Sequence, residues 1–213
     1  MQPAEEGAVQ PKRVTPETRG RDWPVAALAA AGLAISTYLT ATKLAGGTLL
    51  FCETGTGCDI VQASRYAVFL GAPTAAWGAT LYAAVLVLAL TGLAPRRWLG
   101  AFVLAVAAVA FSAYMTWLSL FELRAVCPWC LVDAGIAVAL LVVLLVRRPA
   151  ARGRRAATRP ARLVGIGLLT ALVTVVFAAG VFTAGAPSGD AGYQEALARH
   201  LKASGAIFYG AFW

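Results

Sequence analysis

The side chains best suited to chemistry in this sequence are four cysteines, which fall into two pairs. Cys52 and Cys58 enclose a short segment in which Gly55 and Gly57 let the chain turn sharply enough for the sulfurs to meet. The second pair forms the sequence Cys-Pro-Trp-Cys at residues 127–130, a spacing typical of redox dithiols. The proline fits the first turn of a helix, whose unpaired amides and dipole would favour a thiolate. The pattern therefore predicts disulfide exchange, in which the thiolate is the nucleophile.

Two other interpretations of the cysteines stay open at this point. Structural disulfides are common in oxidising compartments, but a bridge closing the short Cys52 to Cys58 loop would contribute only about 2 kcal/mol. A zinc site would need four thiolates in a tetrahedron, and the spacings do not exclude one. Redox chemistry is favoured, because a Cys-x-x-Cys bridge at a helix start contributes little to stability and is common in redox-active sites.

Five apolar blocks must position these cysteines. Hydrophobic residues make up 60% of the chain, charged residues 13%, and the mean hydropathy is +0.72, which argues against a water-soluble globule. Each block reaches the roughly 20 residues that a membrane-spanning helix needs. The blocks run from Pro24 to Leu44, Pro73 to Leu93, Trp98 to Phe121, Val126 to Val146 and Leu163 to Phe182. We predict an all-α membrane protein, with a four-helix transmembrane bundle plus a fifth transmembrane helix.

Basic residues predict how the spans are oriented. Thirteen of the 18 Lys and Arg residues lie in the tail 1–22, in the turn at Arg96 and Arg97, and in the basic loop 147–162. These three segments alternate as five spans require, so we expect them in the cytoplasm. The loop 45–72, all four cysteines and the C-terminus would then lie on the periplasmic or extracellular side. The same bias explains the net charge of +8 without nucleic acid as a partner.

Residues around the cysteines resemble the bacterial form of the vitamin K epoxide reductase family. One part of the resemblance is the Cys-x-x-Cys at the head of the fourth span. The other follows the loop cysteines and comprises Gly57-Cys58-Asp59, Val61, Ser64, Tyr66, Gly71, Pro73 and Tyr82. The resemblance covers about residues 24–146. It implies a quinone-dependent disulfide oxidase of the bacterial inner membrane, whose catalytic four-helix domain, residues 23–146, holds a quinone near the outer membrane face.

The resemblance also implies an electron path. Cys52 would accept electrons from a thioredoxin-like periplasmic protein and exchange with Cys58. Cys58 would then attack Cys127, and Cys130 would be the sulfur next to the quinone. Ser64 is implied as a hydrogen-bonding support for the loop cysteines, although a helix cap or a packed hydroxyl is the ordinary role of such a serine. The result would be a reduced quinone of the membrane pool (menaquinone, ubiquinone or a vitamin K type) and disulfide bonds in exported proteins.

Quinone reduction also consumes protons, and Asp133 is the candidate donor. It lies one helical turn beyond Cys130 inside an apolar span, where an ionisable residue is a functional candidate. The alternative is an acid that merely complements the helix dipole. Aromatic and thioether side chains could line a ring-binding pocket, although packing and interfacial anchoring are their usual roles. These are Tyr38, Phe111, Tyr114, Met115 and Trp129. No metal is expected.

The segment after the fourth span resembles a tether leading to a thioredoxin-like domain. The fifth span, residues 163–183, would be that tether, and residues 184–213 would be a linker and the start of the domain, with a helix from Tyr193 to Ala203 and a strand from Ala206 to Trp213. In the fused family members a Cys-x-x-Cys follows directly, whereas this sequence stops first. A lone strand does not fold by itself, so we expect poor order from about residue 186. The electron donor would act in cis or in trans.

Two other functions remain as alternatives. A second bacterial family of quinone-linked disulfide oxidases also has four spans and two outward cysteine pairs, but it carries its Cys-x-x-Cys in the first loop. From a different class, the chain could be a non-enzymatic membrane carrier or a metal-binding protein with structural cysteines. Failure to oxidise dithiols with added quinone would favour the carrier.

Overall fold

The computed structural model describes residues 20–47, 49–50, 52, 57–149, 159–184 and 191–205. Five long helices correspond to the five apolar blocks: α1 Trp23–Ala45, α3 Thr74–Leu90, α4 Pro95–Phe121, α5 Pro128–Val146 and α6 Pro160–Ala184. Proline lies in the first turn of α1, α4 and α5, where its missing amide leaves no hydrogen bond unmade. At Gly46 the chain turns left-handed, with φ of 64°, and α1 ends there.

Four of these helices, α1, α4, α5 and α6, are long and apolar enough to cross a membrane. The chain is therefore an all-α, multi-pass membrane protein. The 17-residue helix α3 rises about 26 Å, close to the shortest length that spans the hydrocarbon core. Its end returns to the start of α1, where the Asp22 amide donates to Ala89 O at 3.2 Å. This return supports a crossing by α3, and the count of five spans stays a prediction.

The bundle is arranged around α1 and α4. Helix α1 packs against α3 and α5, and α4 packs against α3, α5 and α6. At one end, the fully buried Trp98 donates its indole N–H to Leu144 O at 3.0 Å, and Arg147 pairs with Asp22 at 3.1 Å. We call this the closed end, because α1, α3, α4 and α5 are all joined there.

Small residues let α1 and α3 approach closely. A Cβ added at Gly32 would overlap the ring of Tyr82, and one added at Gly78 would lie 3.1 Å from Ser36 Oγ. Since a larger residue at Gly32 would displace the ring, the glycine places the Tyr82 side chain in the middle of the bundle, beside Ser36.

The predicted loop 45–72 contains regular structure at the other end of the bundle. It holds the short helix α2 Gly57–Ala63, a 3₁₀ turn Arg65–Ala67 and a two-stranded hairpin, with β1 Val68–Phe69 pairing antiparallel with β2 Ala72–Pro73. Both residues of the hairpin turn have positive φ, 51° at Leu70 and 79° at Gly71, as a type I′ hairpin turn requires. The turn directs Phe69 into the protein, where it is 7% exposed.

Helix α6 packs on α4 and leaves its other side bare. Over half of each of its outward leucine and valine side chains is exposed, which is the pattern of a lipid-facing surface. These are Val164, Leu168, Leu169, Leu172, Val173 and Val176. Beyond α6, helix α7 runs over Ala191–Ala203, two residues longer at its start than predicted. The strand expected over 206–213, most of the tail 1–22 and much of the basic loop lie outside the described residues.

Candidate functional site

The structure brings all four cysteines together at the end of the bundle opposite the closed end. Cys52 and Cys58 form a disulfide with their Cα atoms 5.9 Å apart, within the usual range for such bridges. Cys127 and Cys130 are free thiols whose Sγ atoms lie 2.7 Å apart. Both pairs belong to one apolar cluster, in which Cys58 is 3% and Cys127 is 2% exposed.

The close approach of the two pairs depends on Gly57. This residue begins α2, directly before Cys58, and a Cβ added to it would collide with the backbone of Val126, directly before Cys127. At the other end of α2, the Lys43 ammonium donates to Gln62 O. The helix that carries Cys58 is therefore held at both ends, with its first residue in contact with the Cys-x-x-Cys segment.

Cys127 occupies the N-cap of α5. Its sulfur accepts a hydrogen bond from the Cys130 amide at 3.3 Å. The neighbouring Cys130 thiol, together with the amides of Cys130 and Trp129, lowers the pKa of Cys127 below that of an ordinary thiol, although burial opposes the shift. Cys127 therefore forms a thiolate more readily than an ordinary cysteine does, and the fraction of thiolate falls as the pH drops through this pKa.

A cavity of about 490 Å³ reaches from these sulfurs into the bundle, a size usual for small-molecule sites. Cys127 and Cys130 lie at its wall, and most of the lining is apolar. The lining includes Leu81, Phe111 and Met115. The space suits a flat apolar ring with a lipid tail, held against two sulfurs.

Three polar groups meet on the wall of this cavity. Ser36 Oγ donates to Asp133 Oδ1 at 3.3 Å, and Tyr82 Oη donates to Asp133 O at 3.2 Å. All three residues line the cavity, as does Cys130 one turn before Asp133. The predicted proton donor therefore faces the same space as the sulfur. Sequence reasoning assigned no role to Ser36 and Tyr82, although a polar side chain inside an apolar span was the available signal.

The other predicted site residues are divided between the cavity and its surroundings. Phe111 and Met115 line the cavity, whereas Tyr114, Trp129 and Tyr38 lie outside its lining. The Tyr114 ring packs 6.4 Å from that of Phe182, and the rings of Tyr38 and Trp129 lie 5.4 Å apart near the loop before Cys52. Their proposed part in binding a ring stays a prediction.

Ser64 supports the helix that carries Cys58. Its hydroxyl donates to Val61 O at 2.7 Å, which closes the last turn of α2. This bond supports a loop cysteine through the backbone, and a direct hydrogen bond to a cysteine stays a prediction.

Helix α6 contributes part of the cavity wall through Thr174, Phe177 and Ala178. Phe177 and Phe182 pack on Phe69 at centroid distances of 6.0 and 5.4 Å. From its sequence, this helix is expected to be a tether. Its contribution could not be read from the sequence, because an apolar residue in a lipid-facing helix looks the same whether it meets lipid or a ligand.

A zinc site is not supported by the arrangement of the described residues. Among them, no three His, Cys, Asp or Glu side chains converge as metal ligands would. Cys52 and Cys58 are bonded to each other, so four thiolates do not face one point in this state. The expectation of no metal stays a prediction.

Comparison with known protein families gives a match over more than half of the chain. The sequence model of the vitamin K epoxide reductase family matches residues 23–146. The matched range contains α1 to α5, both cysteine pairs and Asp133, whereas the α6 part of the cavity wall lies beyond it.

Proposed function

Because this chain belongs to the vitamin K epoxide reductase family, we propose that it is a membrane thiol:quinone oxidoreductase that oxidises a thioredoxin-like protein and reduces a quinone. The observation that carries the proposal is the dithiol Cys127 and Cys130 at the wall of an apolar cavity that also holds Asp133. A structural pair would need no such cavity. A lipid-soluble oxidant needs one, because its ring must touch the sulfur that it oxidises.

The first half of the proposed reaction moves two electrons from the partner to the loop pair. A partner thiolate attacks Cys52 of the Cys52–Cys58 bridge and releases Cys58 as thiolate. The second partner thiol then displaces Cys52, which leaves the partner with a disulfide and the loop pair as a dithiol.

The second half passes the electrons inward. The Cys58 thiolate attacks Cys127 of the oxidised Cys127–Cys130 bridge and releases Cys130. Cys52 then attacks Cys58, so that the loop bridge reforms and the inner pair becomes a dithiol. The structure has this arrangement, a loop bridge beside an inner dithiol. Re-forming the Cys127–Cys130 bridge gives two electrons and two protons, which convert the quinone to the quinol.

We infer that Asp133 holds or passes on one of these protons. Ser36 orients its carboxylate from α1, and Tyr82 holds its backbone carbonyl from α3. Since the cavity is apolar and lies inside a membrane span, water is a poor alternative proton source there.

Replacing Asp133 with asparagine is expected to slow quinone reduction by about 10²-fold, the usual contribution of a positioned acid, because the amide keeps the shape but carries no exchangeable acid proton. Exchange between the cysteine pairs should persist. Quinone loss followed by absorbance across pH gives the measurement. Glu122→Gln, a change of the same kind at the exposed end of α4, is the control and should behave as wild type. Unchanged turnover of Asp133→Asn at every pH would remove the proton role.

The function itself is tested with purified protein, a reduced thioredoxin-like protein and a soluble quinone. We expect oxidation of the partner thiols that depends on the quinone, with one quinone consumed for each disulfide formed. Thiol oxidation at the same rate with and without quinone, or no thiol oxidation, would favour the carrier alternative. An impermeant thiol reagent applied to intact cells tests the proposed placement of the cysteines on the outer side of a bacterial inner membrane.

A further inference from the structure

The backbone of Leu50 is held from both sides by aromatic side chains. Its N–H donates to Tyr38 Oη at 2.9 Å, and its carbonyl accepts from Trp129 Nε1 at 2.9 Å. The two rings lie 5.4 Å apart at an angle of 52°. We call this arrangement the Leu50 clamp.

The clamp joins the two redox segments. Leu50 lies two residues before Cys52, and the Cys52 amide donates to Leu49 O at 3.1 Å, so Cys52 is tied to the residue directly before Leu50. On the other side, Trp129 is the residue between Pro128 and Cys130 of the Cys-x-x-Cys sequence. The indole of Trp129, which lies between the two inner cysteines, therefore binds the backbone just before the loop cysteine Cys52.

Leu49, one residue earlier, is buried in the apolar cluster of the cysteines, whereas Leu50 itself is held through its backbone. The Leu50 side chain is 63% exposed, so its packing contributes little. Each of the two hydrogen bonds joins an aromatic side chain to the Leu50 backbone, from partners 12 and 79 positions away along the chain. Tyr38 and Trp129 also lie outside the lining of the cavity.

We propose that Trp129 and Tyr38 are positioning residues for exchange between the two cysteine pairs. They hold Leu50, just before Cys52, against the segment that carries Cys127 and Cys130. Cys58 then spends more of its time where its thiolate meets the inner disulfide in line. The proposal rests on the proposed function for its purpose, since exchange serves electron transfer to quinone. The positioning itself can be measured without quinone.

The first test measures this positioning in a background with Cys52→Ser and Cys130→Ser, where only Cys58 and Cys127 can pair. Diamide oxidises the two thiols to one disulfide and takes up the two hydrogens itself. We expect Trp129→Phe and Tyr38→Phe each to slow the formation of this disulfide about fivefold, as the loss of one net hydrogen bond would. In the double variant, disulfide formation should be slowed by less than the product of the two single-variant factors, because both side chains act on Leu50.

Trp117→Phe is the matched control, since Trp117 is an exposed tryptophan on α4 that packs against Phe121. Its rate of cross-linking should equal that of the parent protein. Parent-like rates in Trp129→Phe and Tyr38→Phe would overturn the proposal, and so would equal slowing in all three variants.

The second test uses the four-cysteine protein, fully reduced and then mixed with quinone. Two electrons leave the inner pair in a first phase, and two more follow from the loop pair through exchange. The clamp variants should slow the second phase about fivefold relative to the first. Equal slowing of both phases would assign the residues to the quinone or to general stability and overturn the proposal. A wild type that does not react with quinone would refute the proposed function, while the diamide rates would still decide on the clamp.

Discussion

Replacing Cys130 with serine is expected to lower quinone-dependent thiol oxidation to below about 1% of the wild-type rate. Cys130 lies on the cavity wall, and its sulfur is the only partner with which Cys127 can close the inner bridge within the Cys-x-x-Cys sequence. Without that bridge, two electrons cannot leave the inner pair together. The measurement is loss of quinone absorbance with a reduced partner protein.

The fold must be shown to survive this substitution. The loop bridge Cys52–Cys58 lies outside the replaced pair, so mass analysis after alkylation should still find it in Cys130→Ser. Turnover that remains near the wild-type rate in a protein with this bridge would show that electrons reach the quinone by another route.

The second large effect is expected from Gly57→Ala. The new Cβ would collide with the backbone of Val126, so α2 would have to move away from the segment that carries Cys127. A displacement of about 1 Å at reacting atoms can cost about 10²-fold in rate, and we expect a loss of that order in the exchange between the pairs. The diamide cross-linking of Cys58 to Cys127 measures it.

Gly165→Ala provides the matched control for this substitution. A Cβ at Gly165, on α6, would meet no atom within 4 Å, so alanine there should be neutral or slightly stabilising. If Gly57→Ala exchanged as fast as Gly165→Ala, the contact with Val126 would not govern the approach of the two pairs.

The long helices could be predicted because each one is an uninterrupted apolar run. The boundaries differ for local reasons. Helix α4 begins at Pro95 rather than Trp98, since Arg96 and Arg97 fall outside an apolar count but still fit a first turn. Helix α3 ends at Leu90 rather than Leu93, because Gly92 takes a positive φ of 88° and turns the chain towards α4.

The candidate site was predictable only where its signal is local. The spacing of the cysteines predicted two pairs, and Pro128 predicted the helix start at the inner pair. Two contacts at the site join residues more than 75 positions apart. The ring of Phe69 packs against Phe177 of α6, and the indole of Trp129 donates to the Leu50 carbonyl. No periodicity along a single chain encodes such contacts, so they needed the structure.

The closed end of the bundle provides a fixed reference point for measuring motion elsewhere in the protein. Arg147 pairs with Asp22, and the Asp22 amide donates to Ala89 O, so three helices are joined far from the four cysteine sulfurs. Every bond that is exchanged in the proposed cycle lies at the opposite end. The distance between spectroscopic labels on these joined helix ends should therefore stay constant throughout turnover. Displacements of the segments that carry the cysteines can be measured against that fixed distance.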